Sequence, residues 1–178
     1  MQEPVDQRFP DDAVLAAALT RRSRIALEDA YRRYAKGVYG IAYRLTGHSA
    51  EAEEVLQEVF VGLPESVRSY EGCGSLEGWL IRVAARMALA RNRARDRRRE
   101  ASLDSTPLHA TDHRSDSCDW IALERALEEL SATLREVFVL REVEGYSHRE
   151  IAEILGIRTG TSKVRLCRAK KQLRETLS

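Results

Sequence analysis

A polar segment, residues 100–118, divides the chain into two stretches whose apolar residues recur at helical spacing. Ser, Thr, Asp and His dominate this segment and apolar residues are few, which is typical of a mobile linker. Neither flanking stretch contains a convincing run of alternating apolar residues, the pattern of a half-buried strand. The sequence therefore predicts an all-α chain with two small helical domains, residues 1–99 and 119–178, joined by a flexible polar linker.

Composition excludes several classes of protein. The balance of 43% hydrophobic and 32% charged residues in a chain of 178 is that of a globular, soluble protein. No apolar run approaches the roughly 20 residues that cross a membrane, so no membrane insertion is expected, and the N-terminus does not resemble a secretory signal. The three cysteines, Cys73, Cys118 and Cys167, are far apart and form no CxxC motif, which indicates a reducing cytoplasm.

Four helices are predicted in the N-terminal block from the spacing of its apolar residues. They cover about 14–19, about 25–46, a segment capped by Ser49, and about 76–98. Gly47 should end the second helix, and Gly62 and Pro64 should kink or restart the third. The glycines of "YEGCGS", residues 70–75, predict a loop before the fourth helix.

The C-terminal block ends in a helix-turn-helix pattern. Two helices, the second capped by Ser131, precede it. Ser147 and Glu150 fit an S-x-x-E capping box, in which each side chain satisfies the other residue's free N–H. A short apolar helix follows, then Gly156, then a last helix over about 159–173. Two short helices joined by a tight glycine-containing turn indicate a helix-turn-helix.

The net charge of +1 conceals a segregation of charge along the chain. Residues 86–99 hold seven Arg and one Asp, residues 100–130 hold eight acids and two bases, and residues 163–174 hold six bases and no acid. Because a partner meets the local charge rather than the net charge, the two basic stretches predict a polyanionic partner.

The last helix has two faces. One is expected to pack on the preceding helices: Ser162, Leu166, Ala169 and Leu173. The other is outward and partly basic: Thr161, Val164, Arg165 and Arg168. A basic face at the start of a helix suits the DNA major groove, and longer basic side chains can reach phosphates. A merely solvated basic helix is the alternative, but the capping box, the glycine turn and the lack of balancing acids favour DNA.

With both blocks in view, the chain resembles the extracytoplasmic-function sigma factors, the small two-domain group of the bacterial sigma-70 family. The N-terminal block, with "AEAEEVLQEVF" and "YEGCGSLEGWLIRVA", is similar to region 2 of that family. The C-terminal block, with "LREVFVLREVEGYSHREIAEILGIRTGTSKVRLCRAKKQL", is similar to region 4. The resemblance spans nearly all of residues 25–177. It implies a promoter-specificity subunit of RNA polymerase that performs no chemistry itself and uses no cofactor.

The resemblance implies that the last helix reads the −35 promoter element in double-stranded DNA. The candidate contact positions are Arg141, Arg149, Thr161, Lys163, Val164, Arg165, Cys167, Arg168 and Lys171. Arg168 is the expected base reader, since arginine can contact guanine O6 and N7, whereas Arg165 and Lys171 are expected mainly on phosphates.

Two positions of this helix depart from the family, which more often has an apolar residue at 162 and a small polar residue at 164. Ser162 is expected to bond back to a carbonyl one turn earlier. Val164 is expected to pack on a thymine methyl, a contact that would give a promoter preference of its own.

A second implied contact is with the melted −10 element, where a flipped base enters a protein pocket. The candidate residues are Gly72, Gly74, Ser75, Trp79, Arg82, Arg86, Arg91 and Arg93. The glycines would let the backbone approach the base, and the arginines would form a basic ridge along the single strand. Trp79 is either a stacking platform or a core anchor, and we favour the core. Arg86 stands where relatives commonly carry Asn, and Pro64 where they carry a large aromatic residue.

The acidic third helix has three interpretations. Its carboxylates could hold a metal or act as an acid/base pair, or they could simply form the solvated face of a helix. The resemblance gives the third: Glu54, Gln57 and Glu58 match the positions that dock on the clamp helices of core RNA polymerase. No metal site is predicted here or in the linker, where His109, His113 and Cys118, with Asp112 or Asp116, match no standard zinc spacing.

The family also suggests an anti-sigma factor as a candidate partner, although nothing in the sequence identifies one. The competing function is a helix-turn-helix regulator that acts without polymerase, and the N-terminal block argues against it. A nuclease would need clustered metal ligands or an activated nucleophile, and the sequence offers no credible set.

Overall fold

The computed structural model describes residues 9–101 and 118–177, and every regular element within them is helical. The elements are α1 (Asp12–Thr20), α2 (Arg24–Thr46), α3 (Ser49–Ser66), a 3₁₀ turn (Val67–Ser69), α4 (Leu76–Ala101), α5 (Cys118–Glu129), α6 (Ala132–Phe138), a π-helical turn (Val139–Val143), α7 (His148–Leu155) and α8 (Thr159–Thr176). The predicted all-α class is confirmed. Residues 102–117, with most of the predicted linker and its His109 and His113, lie outside the described residues.

The N-terminal block is a bundle in which α2 packs on both α3 and α4. Its buried residues follow the predicted apolar stripes, such as Val38 and Ile41 on α2, because only one face of each helix turns towards its neighbours. Gly47 ends α2 in a left-handed conformation, with φ of 73°, as the sequence predicts.

Two details of the third helix were predicted wrongly. Helix α3 runs through Gly62 and Pro64 without a break, and Pro64 lies in its last turn, before the 3₁₀ turn takes over. Ser49 is the first helical residue rather than the cap, and His48 holds the cap position without a side-chain hydrogen bond. The hydroxyl of Thr46 organises this α2–α3 corner, because it donates to the Ala42 carbonyl and accepts from the His48 amide.

In the C-terminal block, α6 does not continue as a regular α-helix to Gly145. It widens into the π-helical turn at Val139–Val143, a local insertion that no propensity in the sequence announces. The capping box is confirmed: the Glu150 amide donates to Ser147 Oγ at 3.2 Å, and the Ser147 amide donates to Glu150 Oε2 at 2.7 Å. Ser131 holds the cap position of α6 but makes no side-chain capping bond.

The two blocks share one continuous buried core. Val139, Leu140 and Ile151 of the C-terminal block belong to the same buried cluster as Val38 and Ile41 of α2. A smaller second cluster lies within the C-terminal block, between α5 and the end of α8. The helix-turn-helix is therefore packed against the N-terminal bundle.

Polar contacts cross the same boundary. The Tyr43 hydroxyl donates to Glu128 Oε1 at 2.6 Å. Asn92 is fully buried and its Nδ2 donates both to the Leu45 carbonyl and to Glu136 Oε1, each at 3.0 Å. The boundary thus joins the carboxyl end of α2 and the middle of α4 to α5 and α6.

Arg135 of α6 is a buried cation at the carboxyl end of α2. Its Nη2 donates to the Thr46 carbonyl at 3.3 Å, where the helix dipole favours a positive charge. Burial lowers the pKa of Arg135, and the nearby Arg95 lowers it further, against the opposing effect of Glu136. A Cβ added at Gly47 would lie 2.7 Å from Arg135 Nη1, so this glycine leaves room for the guanidinium.

Gly47→Ala is therefore expected to lower the free energy of unfolding by about 2 kcal/mol. Alanine in the left-handed backbone conformation costs roughly 1–2 kcal/mol, and the displacement of Arg135 adds to that cost. Thermal denaturation measures the loss, which should be roughly 4–8 °C in the midpoint. Gly145→Ala is the matched control, because Gly145 has a φ of 74° and nothing near its added Cβ. Equal losses in the two variants would show that Arg135 takes no part.

Candidate functional site

The exposed side of α8 carries cations that no described residue neutralises. Lys163 and Arg168 are exposed, Arg165 is half-buried, and within the described residues none of the three has an ion-pair or hydrogen-bond partner. The other two lysines of α8 do have acidic neighbours. Lys170 pairs with Glu142 at 3.0 Å, and Lys171 lies 3.9 Å from Glu175. The first turns of α8 thus present the unpaired positive charge.

The predicted packed face of α8 is observed. Ser162, Leu166, Ala169 and Leu173 are all buried, and Val164 on the outward side is 52% exposed. The prediction for the Ser162 hydroxyl was wrong: it hydrogen-bonds His148 Nδ1 at 2.9 Å, rather than a carbonyl of its own helix. His148 is the first residue of α7, so its position beside α8 could not be read from local spacing.

Two further predicted −35 residues lie outside α8. Arg141, in the π-helical turn, donates to the Tyr146 carbonyl at 2.9 Å and so braces the turn that leads into α7. Arg149 is exposed on α7, and its only described partner is Glu153, 3.4 Å away one turn along the helix. Such an exposed pair adds little stability, so the Arg149 guanidinium can exchange it for another anion.

The loop before α4 is held at both ends. The Tyr70 hydroxyl donates to the Gly74 carbonyl at 2.7 Å. At the start of α4, the Leu76 amide donates to Asp12 Oδ2 at 2.6 Å, and the Gly78 amide donates to Ser75 Oγ at 3.1 Å. Helix α1 therefore helps to position the predicted −10 loop, a role that sequence reasoning missed.

Asp12 also connects this loop to α2, because its Oδ1 accepts the Tyr34 hydroxyl at 3.0 Å. Burial and the bond to this carboxylate raise the pKa of Tyr34 to about 12. Gly72 and Gly74 have φ values of 74° and 81°, so the loop requires glycine at both positions. Trp79 packs against the core near the Tyr70 ring, which confirms the core interpretation.

The predicted basic ridge on α4 divides into two sides. Arg82, Arg86 and Arg93 lie within about 40° of one another around the helix, whereas Arg91 is about 180° from Arg82. Arg82 lines a groove of about 250 Å³ with Tyr146 of the C-terminal block, and Arg93 Nη1 lies 3.4 Å from the Ile154 carbonyl. In this arrangement the C-terminal block lies against part of the predicted −10 surface.

Arg91 instead points to α3, where it donates to both Glu54 and Glu58. Burial acts to lower the pKa of this guanidinium, but the hydrogen bonds to the two carboxylates outweigh it and the pKa is raised. Arg95, one turn later, pairs with Glu51 at 2.9 Å. The structure thus joins a predicted DNA-binding residue to the predicted polymerase-docking carboxylates.

The outward side of α3 forms a narrow stripe, which we call the α3 stripe: Glu54, Gln57, Glu58 and Val61. These four residues are exposed and lie within about 100° of the helix surface. Val61 was missed by sequence reasoning, although it follows Glu54 and Glu58 at helical spacing. Its 82% exposure is the largest among the large apolar side chains that the structure describes as exposed. The stripe therefore combines two carboxylates and an amide with one apolar side chain.

Three further features of the described residues concern cysteines, metal ligands and membrane spans. Cys73, in the loop before α4, and Cys167, on α8, are both free and exposed. In residues 9–101 and 118–177 no group of three His, Cys, Asp or Glu side chains could hold a metal ion. The described helices include none long and apolar enough to cross a membrane.

Comparison with protein families identifies both blocks. The family model for sigma-70 region 2 matches residues 30–101, and that for sigma-70 region 4 matches residues 120–173. The ECF RNA polymerase sigma factor SigE of Mycolicibacterium smegmatis is 33% identical over 99% of this chain and 70% of its own length. The chain belongs to the extracytoplasmic-function sigma factors of the sigma-70 family. The predicted resemblance is therefore confirmed.

One more relative and two solved structures extend the comparison. RNA polymerase sigma factor CarQ of Myxococcus xanthus is 35% identical over 85% of this chain and 89% of its own. Among solved structures, the sigma factor RpoE of Bartonella quintana, in complex with the anti-sigma factor NepR, has a TM-score of 0.64 and 26% identity over 84% of this chain and 95% of its own. CnrH, in complex with the cytosolic domain of CnrY, shares the fold at a TM-score of 0.55 and 23% identity, covering 93% and 96% of the two chains.

Proposed function

We propose that this sigma factor joins core RNA polymerase through the α3 stripe and directs it to promoters through α8 and the loop before α4. It performs no chemistry itself and acts in the cytoplasm, where the polymerase is. The observation that carries the proposal is that one chain has two separate charged surfaces. The second helix of its helix-turn-helix has a basic face that no described residue neutralises, and α3 has an acidic stripe.

For the −35 contact, the support is the free charge at the start of α8. Lys163 and Arg168 are exposed on α8, so they can reach guanine edges and phosphates without first breaking an ion pair to any described residue. Val164 lies between them and is half-exposed, which allows contact with a thymine methyl.

For the polymerase contact, the support is a stripe whose geometry is fixed before binding. Arg91 holds Glu54 and Glu58 from one side, while their side chains remain at least half exposed on the other. Such charges orient an encounter and raise the association rate, and Val61 supplies an apolar contact at the end of the stripe.

The −10 contact rests on the loop at residues 70–75, whose two glycines expose their backbone, and on Arg82 and Arg86 of α4. An anti-sigma factor is a further partner by analogy with the solved RpoE–NepR complex. Because the C-terminal block lies against Arg82 and Arg93, we infer that the two blocks must move apart before both promoter elements are bound.

Run-off transcription tests the proposal. Core RNA polymerase from the source organism is mixed with the purified chain and a promoter library randomised at the −35 and −10 elements. Enrichment of a two-part promoter is the expected result. A chain that binds duplex DNA but does not co-purify with core polymerase would instead be a free helix-turn-helix regulator.

Arg168→Ala is expected to reduce initiation at the enriched promoter about 10-fold or more, since one good arginine–guanine pair is worth roughly 1–3 kcal/mol. Run-off transcription on the wild-type promoter and on variants of each −35 base pair measures the loss. Discrimination should relax at one base pair, and that loss distinguishes a base reader from a phosphate contact. Arg125→Ala, which removes the same charge from exposed Arg125 on α5, is the matched control and should leave the promoter preference unchanged.

A further inference from the structure

The packed face of α8 contains one buried polar side chain in the described part of the chain. Ser162 is fully buried, and its hydroxyl lies 2.9 Å from His148 Nδ1. No second hydrogen bond to this hydroxyl is found among the described residues. Helices α7 and α8 are the two helices of the helix-turn-helix, so the bond joins the first residue of α7 to the first turn of α8.

The position of this bond along α8 is what gives it significance. Ser162 is followed directly by Lys163 and Val164, the exposed residues nearest the start of the basic face. Each residue of a helix turns it by about 100°, and a helix moves as a rigid body over a few residues. A small rotation at Ser162 therefore displaces the side chains of Lys163 and Val164 by a similar angle.

His148 lies in a positively charged neighbourhood. Partial burial lowers the pKa of its imidazole, and Arg141 of the π-helical turn and Lys163 and Lys170 of α8 lower it further. Glu142 opposes this, but it is paired with Lys170. At neutral pH the imidazole is thus uncharged, and its Nδ1 can accept the Ser162 hydroxyl. Protonation would turn Nδ1 into a donor and add a fourth cation to the group.

We propose that His148 is a positioning residue for promoter reading: by bonding Ser162 it sets the rotation of α8, and so decides which −35 bases Lys163 and Val164 reach. The promoter part of this inference rests on the proposed function. The structural part, a bond that fixes α8 against the first residue of α7 beside three cations, does not depend on it.

The sign of the pH dependence follows from the lowered pKa. A group whose pKa is lower in the folded chain contributes stability that is present above its unfolded value, about 6.5 for histidine, and is lost as the pH falls through that range. The thermal midpoint of the wild-type chain should therefore fall below about pH 6.5 by more than that of His148→Asn. Asparagine can hold the bond to Ser162 from the position of Nδ1 but does not titrate.

Three variants separate positioning from simple stabilisation. Ser162→Ala removes the hydroxyl. His148→Asn keeps the bond. The double variant His148→Leu with Ser162→Val replaces both partners by apolar groups, a change that is often neutral for stability. Each variant is assembled with core polymerase, and its −35 preference is selected from the randomised library at about pH 7.5.

We expect Ser162→Ala and the double variant to shift the preferred base by at least about 5-fold at one or more −35 positions, while His148→Asn keeps the wild-type preference. A double variant as stable as the wild type with an unchanged preference would overturn the positioning role. Identical pH profiles for the wild type and His148→Asn would overturn the titration. A wild-type chain that never initiates transcription would sink the proposed function and the promoter part with it, whereas the pH profiles are measured on the chain alone.

Discussion

Replacing Asn92 by aspartate is expected to separate the two helical blocks. Asn92 Nδ2 is a donor shared by two acceptors, the Leu45 carbonyl in α2 and Glu136 Oε1 in α6. Aspartate would put a carboxylate oxygen in its place, against a carbonyl and another carboxylate. Because Asn92 is fully buried, water cannot relieve the repulsion. Moving the C-terminal block away removes the Glu136 carboxylate from this contact.

The size of this effect follows from the cost of a buried charge without a matching partner, about 3–5 kcal/mol. Arg95 Nη2 lies 3.3 Å from Asn92 Oδ1 and would offset part of it, although Arg95 is already paired with Glu51. A loss of about 3 kcal/mol in the contact between the blocks is therefore expected. Small-angle X-ray scattering would detect it as a larger radius of gyration, and urea denaturation as a lower free energy of unfolding.

A second substitution makes this test specific. In the Asn92→Asp background, Glu136→Gln removes the opposing carboxylate and supplies an amide donor, so it should recover a large part of the lost compactness. Glu136→Gln alone should have a smaller effect. An Asn92→Asp chain with the wild-type radius of gyration would show that the blocks do not meet at Asn92 in solution.

Reversing the charge of Glu58 is expected to weaken the association with core polymerase on the order of 100-fold. The substitution Glu58→Lys removes one carboxylate of the α3 stripe and places a positive charge against the polymerase surface that complements the stripe. Such like-charge contacts cost several kcal/mol. The Glu58 side chain is half exposed, so the fold itself should lose less than about 1 kcal/mol. Fluorescence anisotropy of the labelled chain, titrated with core polymerase, measures the affinity.

The control is Glu28→Lys, which makes the same change at an exposed position on α2, where the described ion-pair partner of Glu28 is Arg24 of its own helix. Its affinity for the polymerase should stay within about 2-fold of the wild type. Equal losses in the two variants would indicate a general effect of net charge and would remove the α3 stripe from the proposal.

The assignment of Arg91 can be decided in the same titration. If Arg91 holds Glu54 and Glu58 in place, Arg91→Ala should weaken polymerase binding. The assembled enzyme should then keep its promoter preference. If Arg91 instead contacts single-stranded DNA, Arg91→Ala should impair promoter opening and leave the affinity for the polymerase unchanged. The hydrogen bonds to both carboxylates favour the first outcome.

The helices and their main faces could be predicted because they depend on local patterns. The capping box at Ser147 and Glu150 and the glycine that ends α2 are both read within one turn of chain, and the structure has both. The buried face of α8 follows from the 3.6-residue period alone, even though it includes Ser162. Each of these features needs only residues that are neighbours in sequence.

Features that join distant residues were not predictable in this way. The bonds from His148 to Ser162 and from Arg91 to Glu58 cross between helices, and no spacing rule gives the partner. The helical period of α4 does predict that Arg91 lies on the opposite side of the helix from Arg82. The packing of the C-terminal block on α2 and α4 depends on the tertiary fold, and the apolar face that produces it could equally have packed within its own block.

The two exposed cysteines have a practical consequence. Cys73 lies in the loop assigned to the −10 element and Cys167 on the helix assigned to the −35 element. The native chain therefore carries a thiol at each surface that is proposed to meet the promoter. Once Cys118 is replaced, maleimide reagents can attach a fluorophore at both places without an added cysteine. Promoter binding can then be followed at each surface as protection from alkylation.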